Sequence, residues 1–247
     1  MSKVRSRWRR AAFAVLAVVG VLLGAVATGF LAAKYTPRRY QALAPPAGED
    51  AIAASTAMVD RAASLVNDAR RDGDWSAAFT QDEINAWLSV EAPEKHPELF
   101  LPGVRDARTS IDETGVWAAC RYDEGPLGSA VYSVQLYPTV VEPNLLAVRI
   151  DGAWAGAAPL PLGPLREQVA LQLDDLGLDV SWSRSDGSPL LLLRIPEDAF
   201  DDGRLRQLTT LACGEGAIEL GGVTREAPES PSSGDQSPSA TESSERQ

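Results

Sequence analysis

The segments VWAACRY at residues 116–122, YSVQLY at 132–137 and LAVRID at 146–151 decide the fold of this chain. In each segment alternate side chains form an apolar set, and this period of two is typical of strands with one buried face. Residues 104–111 predict a further strand directly before them. Consecutive strands of this kind predict an antiparallel meander.

Two helices are predicted before the strands. Residues 49–71 carry apolar side chains at helical spacing, begin with acidic residues and end before Gly73, as helix-dipole and C-cap preferences suggest. The segment TQDE at residues 80–83 matches a capping box and starts the second helix. Asn85 in that helix is either solvated or a polar contact for a neighbouring element.

The C-terminal half mixes helix and strand. We predict a helix at residues 165–176, strands at 178–184 and 189–195, a short helix within 197–213 and a last strand at 217–223. Runs of strands with helices at their ends indicate the α+β class, in which helices pack on a curved antiparallel sheet.

An uncharged run of 23 residues, at positions 11–33, precedes this domain. A helix of that length can cross a bilayer, so the predicted fold includes an N-terminal transmembrane helix. Five basic residues precede the run and three follow it, which favours a cytoplasmic N-terminus and an extracytoplasmic domain. A signal peptide cleaved near residues 25–27 is the alternative, and it also exports the domain.

The chain is therefore predicted to fall into five parts. These are a cytoplasmic basic segment at 1–10, the transmembrane helix at 11–33, a stalk at 34–48, the extracytoplasmic α+β domain at 49–225 and a disordered acidic tail at 226–247. The tail is rich in serine and proline and has no aromatic, leucine, isoleucine or valine residue. It cannot bury enough apolar surface to offset the entropy of ordering.

Gly20 and Gly24 lie four residues apart on one face of the predicted transmembrane helix. Small residues at this spacing allow two helices to approach closely, so they predict a helix-dimer contact. The alternative is chance spacing, because glycine is common in membrane helices. A second copy of the chain, or another envelope protein, is therefore a candidate partner.

Cys120 and Cys213 are the only cysteines of the chain. Outside the cytoplasm they are a candidate disulfide, and the alternative is two buried thiols that act as small apolar side chains. Two cysteines and one histidine make too few ligands for a zinc site, so no metal is predicted.

The sequence lacks the residue clusters and motifs that are typical of nucleic-acid-binding proteins and of several enzyme classes. The formal net charge of −11 argues against binding nucleic acid, which would need clustered lysine and arginine. No nucleophile elbow, phosphate-binding loop or zinc-protease motif occurs. The neighbouring acids Asp123 and Glu124, like Asp174 and Asp175, diverge on a strand or helix. We therefore predict no catalytic residue and no cofactor, with a hydrolase that uses an unrecognised carboxylate pair as an alternative.

The positive signal is an apolar sheet face that could form a ligand groove. Its candidate ligand-binding residues are Tyr132, Val134, Leu136, Leu146, Val148, Ile150, Leu191 and Leu193. The alternative is an ordinary core, since pockets and cores use the same residue types.

Two motifs carry a family resemblance. FTQDEINAWL at residues 79–88 and GAAPLPL at 156–162, with alternating strands between them, resemble a class of bacterial membrane-anchored envelope proteins. This class includes YpmS-like proteins and is similar to LmeA-like phospholipid-binding proteins. The resemblance covers residues 79–195 and implies an elongated lipid-binding fold, in which a curved sheet wraps a helix.

These observations predict a single-pass, membrane-anchored, non-catalytic protein of the cell envelope. Its expected ligand is lipid or another apolar molecule, and membrane lipid is the expected partner. A structural or scaffolding protein that dimerises through its membrane helix is the alternative.

Overall fold

The computed structural model describes residues 27–125, 127–175, 179–185, 187–197 and 202–227. The helices are α1 at residues 27–34, α2 (Arg38–Ala42), α3 (Glu49–Asp68), α4 (Gln81–Val90), α5 (Ala92–Lys95) and α6 (Leu162–Asp175), with a 3-10 turn at Pro97–Leu99. The strands are β1 (Gly73–Thr80), β2 (Val104–Asp112), β3 (Gly115–Tyr122), β4 (Ala130–Glu142), β5 (Leu145–Ala155), β6 (Ala158–Pro159), β7 (Asp179–Ser185), β8 (Ser188–Arg194), β9 (Arg204–Gly214) and β10 (Ala217–Glu226).

The strands form two antiparallel sheets. The large sheet has the order β2-β3-β4-β5-β8-β7, with β6 paired to β5, and the small sheet has the order β1-β10-β9. The predicted meander is confirmed as β2 to β5, and the predicted strands at residues 178–184 and 189–195 are the hairpin β7–β8. The mixed α+β architecture with a large antiparallel sheet follows from these pairings.

Helix α4 begins as predicted and closes the β2 edge of the large sheet. The capping box is complete, since the Thr80 hydroxyl accepts from the Glu83 N–H and the Glu83 carboxylate accepts from the Thr80 N–H. Asn85 is the polar contact, not the solvated residue: its side chain pairs with both backbone groups of Thr109. These hydrogen bonds satisfy backbone groups at the edge of β2 that a neighbouring strand would otherwise pair.

Along β3 the two faces of the large sheet are buried unequally. Along β3, side chains alternate between buried and half-buried. The buried set is covered by α2, where Tyr40 packs with Trp117, Ala119 and Val131. We call this side the covered face and the opposite side the open face. Tyr40 belongs to the segment predicted as a stalk, and here it is 2% exposed.

The transmembrane component of the predicted fold class was wrong. Within the described ranges, no helix is long and apolar enough to cross a membrane. Residues 11–26 of the predicted span lie outside those ranges, and its last seven residues belong to α1, where Ala33 is only 4% exposed. Hydropathy cannot separate an alanine that faces lipid from one that packs on protein, which is why the pattern misled. The predicted export of the domain stays a prediction.

A glycine lets the end of α1 dock on the domain. The Ala157 N–H donates to the Ala32 carbonyl at 2.8 Å, and Lys34 Nζ donates to the Ser129 carbonyl at 3.0 Å. Gly156 has φ of +56°, and a Cβ there would lie 2.5 Å from the Ala32 oxygen. Both the backbone conformation and the close approach therefore require glycine at this position.

Other differences lie in the small sheet and at the chain ends. The short helix predicted within residues 197–213 was wrong, because residues 204–214 form β9. Strand β1 was not predicted, and the predicted strand at 217–223 is part of β10. Gly20, Gly24 and residues 228–247 of the predicted tail lie outside the described ranges.

Candidate functional site

The strand register places all eight predicted ligand-binding residues on the open face. Directly paired residues of antiparallel strands share a face, as do residues two apart on one strand. Tyr132, Val134 and Leu136 follow one another at this spacing on β4. The pairs that extend the face across β5 and β8 are Leu136 with Ile150, Val148 with Leu191 and Leu146 with Leu193.

These eight residues do not share one environment. Ile150 is 3% exposed and Leu191 is 8% exposed, so both are core residues. The other six are half-buried. Tyr132 and Val134 line a cavity, and they are the two predicted residues that the structure brings to it. This face therefore holds both core residues and residues beside a cavity, and ligand binding by them stays a prediction.

The cavity lies on the open face, beside α4, and has a volume of about 380 Å³. Pockets for small ligands commonly measure about 300–1,000 Å³. Its open-face lining includes Leu88 of α4, Ala118 and Cys120 of β3, Tyr132 and Val134 of β4, Ala153 of β5 and Leu160.

Small side chains on neighbouring strands create this space. Val134 is paired with Ala118 on one side and with Ala153 on the other. Two alanines around one valine leave a hollow that larger β-formers would fill. Leu88 and Leu160 border the hollow, so it is an apolar recess in a sheet face and not a gap between polar loops.

The polar groups around the recess are turned to partners in the protein. The Thr109 hydroxyl is turned to the Asn85 side-chain oxygen at 3.3 Å. Arg108 also borders the recess, but its guanidinium stacks 4.3 Å from the Tyr40 ring centre and donates to the Tyr40 carbonyl on the covered face. Burial raises the pKa of Tyr132, which keeps its hydroxyl neutral. An uncharged ligand suits this lining best.

Cys120 contributes a neutral thiol to the recess. Burial raises its pKa to about 11, because the thiolate loses hydration there. Cys120 and Cys213 are both free in the structure, on strands of different sheets, so the candidate disulfide is not formed.

The raised pKa predicts slow alkylation of Cys120. Iodoacetamide attacks the thiolate, so in a Cys213→Ser chain the rate at pH 8 is expected to be about a hundredfold below that of free cysteine. The rate should keep rising with pH through about 9.5, whereas an ordinary thiol levels off above about 8.5. Mass spectrometry over a pH series measures both, and a plateau near the ordinary value would contradict the burial of this thiol.

A second cavity of about 520 Å³ borders the recess and shares four lining residues with it, which are Leu88, Val104, Ala107 and Arg108. Its lining mixes prolines and apolar side chains such as Phe100 and Leu101 with charged side chains, two of which are in ion pairs. Arg105 lies 2.8 Å from Asp123, and Asp106 lies 3.8 Å from Arg121. This cavity offers less apolar surface, so the recess is the stronger candidate.

The histidine and the acids noted in the sequence are not gathered into a metal site within the described residues. No cluster of three or more histidine, cysteine or acidic residues among them could hold a metal ion. His96 is exposed, with Nδ1 3.3 Å from Glu98. Asp123 is held by Arg105, and the side chains of Asp174 and Asp175 lie outside the described part of the structure.

Sequence reasoning missed most of the recess. Leu88 and Leu160 were noted only as parts of the motifs at residues 79–88 and 156–162, and Ala118 only as one member of an alternating strand. Ala153 was not singled out. The available signal was alanine at strand positions where β-branched or aromatic residues are usual, because such positions mark missing volume.

None of the protein families, curated proteins or solved structures compared with this chain matches it. We therefore infer function from the geometry of the chain. The resemblance to membrane-anchored envelope proteins stays a prediction from the motifs at residues 79–88 and 156–162.

Proposed function

We propose that this protein binds an uncharged apolar molecule, such as the hydrocarbon chain of a lipid, in the recess of the open face. One observation carries the proposal: the apolar side chains of β3 and β4 stay half-buried around a cavity of about 380 Å³, while the other face of these strands is covered.

Apolar contact supplies the driving force. Each square ångström of apolar surface removed from water contributes about 25 cal/mol, and both walls of the recess are apolar. A charged group would lose hydration against this apolar lining, and the Arg108 guanidinium is turned away from it to Tyr40 on the covered face. The chemistry of the lining therefore favours hydrocarbon over a charged headgroup.

The proposed role is binding and not catalysis. The nucleophile that the recess offers is the thiol of Cys120. Its raised pKa keeps this thiol protonated, so little of the reactive thiolate is present. Placement of the domain outside the cytoplasm, with membrane lipid as the source of ligand, belongs to the same proposal. It is supported by the five basic residues that precede the uncharged run.

Native mass spectrometry of the full chain tests the proposal with hexadecanol as a neutral probe. We expect one adduct per chain that saturates as hexadecanol is raised, and no adduct with hexanol, whose short chain buries too little surface. Absence of an adduct would contradict the proposal. So would adducts whose number rises without saturation, because they indicate unspecific association.

A further inference from the structure

The recess and the second cavity adjoin at strand β2. Three of the four residues that line both spaces belong to this strand, and the fourth is Leu88 of α4. The second cavity is at least as large as the recess, at about 520 Å³ against about 380 Å³. A ligand that fills the recess can therefore extend along β2 into the second cavity.

A bulge in β2 shapes the place where the two cavities meet. The pairing of β2 with β3 is interrupted between Arg105 and Arg108, so Asp106 and Ala107 have no partner residue in the ladder. Asp106 has φ of +50°, and its carbonyl accepts from the Tyr40 hydroxyl at 2.8 Å, which ties the bulge to α2. Ala107 borders both cavities. Bulges often lie beside binding sites, and this bulge places a small side chain where the two spaces meet.

The second cavity can hold the polar end of a ligand, which the recess cannot. Ser89 of α4 is exposed and borders the second cavity but not the recess. Its hydroxyl donates to the Ala86 carbonyl at 2.9 Å, so its oxygen can still accept a hydrogen bond. The bulge adds the backbone of Asp106 and Ala107 to the same lining. A hydroxyl group would lose its hydrogen bonds against the apolar recess, whereas in the second cavity it meets polar partners.

The charged side chains around the second cavity are of both signs. Two ion pairs flank the cavity, one between Arg105 and Asp123 and the other between Asp106 and Arg121. The guanidinium of Arg108 is turned to α2, where it donates to a backbone carbonyl and stacks on an aromatic ring. A charged end of a ligand would have to compete with these partners. Hydroxyl groups both donate and accept, so they can bond beside the ion pairs without separating them.

We propose that the ligand is a single-chain amphiphile with an uncharged end that carries hydroxyl groups, such as a monoalkyl glycerol. Its hydrocarbon chain occupies the recess, and its hydroxyl groups lie in the second cavity beside Ser89 and the bulge of β2. This inference rests on the proposed function, since it places the polar end of a molecule whose chain the recess binds.

Native mass spectrometry of the full chain tests the inference with hexadecanol and 1-O-hexadecylglycerol, which have the same hydrocarbon chain. We expect the glycerol ether to bind about tenfold more tightly, since one or two added neutral hydrogen bonds supply a factor of this order. Ser89→Phe should place a ring in the second cavity, remove this gain and leave hexadecanol binding unchanged. Ser64→Phe is the matched control, at an exposed serine of α3 outside both cavities, and it should keep the gain.

Each other outcome overturns the inference. Equal affinity of the two ligands for the unaltered chain would show that the glycerol end does not reach the second cavity. A gain that survives in Ser89→Phe would place the hydroxyl groups elsewhere, and loss of both ligands in a Ser89→Phe chain that circular dichroism shows to be folded would mean that the cavities are not separate subsites. Tighter binding of palmitate than of the glycerol ether would show that the polar end is charged. Absence of adducts with both neutral ligands in the unaltered chain would overturn the proposed function as well, so the two failures are distinguishable.

Discussion

Replacement of Asn85 with leucine is expected to lower the free energy of unfolding by about 2–4 kcal/mol. Asn85 is 3% exposed, and its amide nitrogen donates to the Thr109 carbonyl at 2.9 Å while its oxygen accepts from the Thr109 N–H at 2.7 Å. Leucine has a similar size but satisfies neither group, and each buried unpaired backbone group costs about 1–3 kcal/mol. The better helix propensity of leucine offsets only a few tenths of a kcal/mol.

Urea unfolding followed by tryptophan fluorescence measures this loss. Asn67→Leu is the matched control, since Asn67 is exposed on α3, and a surface change of this kind is expected to stay within about 0.5 kcal/mol. A loss below about 1 kcal/mol at Asn85 would contradict its role, because it would mean that Thr109 finds other partners.

Replacement of Ala118 with phenylalanine is expected to abolish binding of hexadecanol in the recess. Ala118 is paired with Val134 and borders the cavity, so the ring of phenylalanine would occupy the space that the chain of the ligand needs. We expect affinity to fall more than about tenfold, since a filled pocket forfeits most of the apolar burial. The free energy of unfolding should change by less than about 1.5 kcal/mol, because the ring enters open space.

Ala53→Phe is the matched control for this change. Ala53 is exposed on α3 and lies outside the recess lining, so the same substitution there should leave the adduct unchanged. Equal loss in both variants would point to a general effect of added aromatic surface. Unchanged binding in Ala118→Phe would place the ligand elsewhere.

Local patterns in the sequence carry much of this fold. The capping box at Thr80 and Glu83 needs only four consecutive residues, and the period of two in β3 to β5 needs only one strand at a time. Both are set by neighbours in the chain, so both could be predicted. The residues of the open face could be predicted for the same reason. Alternate residues of each strand lie on one face, and the strand register keeps these sets on the same side of the sheet.

Contacts between distant residues could not be predicted in this way. Strand β1 pairs with β10, about 140 residues later, so nothing near it in the chain identifies it as a strand. Asn85 becomes structural only because Thr109 lies at the edge of β2. The recess arises from Ala118 and Ala153 meeting across Val134, a coincidence of volume between three strands.

The N-terminal run shows the limit of hydropathy. Residues 11–33 are all uncharged, but the sequence does not show whether they are surrounded by lipid or by protein. Ala33 is buried against the domain and Leu31 is 70% exposed, although both belong to the same run. Packing of α1 depends on Gly156, which lies more than a hundred residues away.

The most direct test is a crystal structure of the protein with 1-bromododecane, whose bromine can be located by anomalous scattering. The central claim is that the recess on the open face is the ligand site. We predict a bromine peak or a continuous hydrocarbon density between Ala118 and Ala153, next to Leu160. A ligand bound only at other positions, or a recess closed by its own side chains, would contradict the claim.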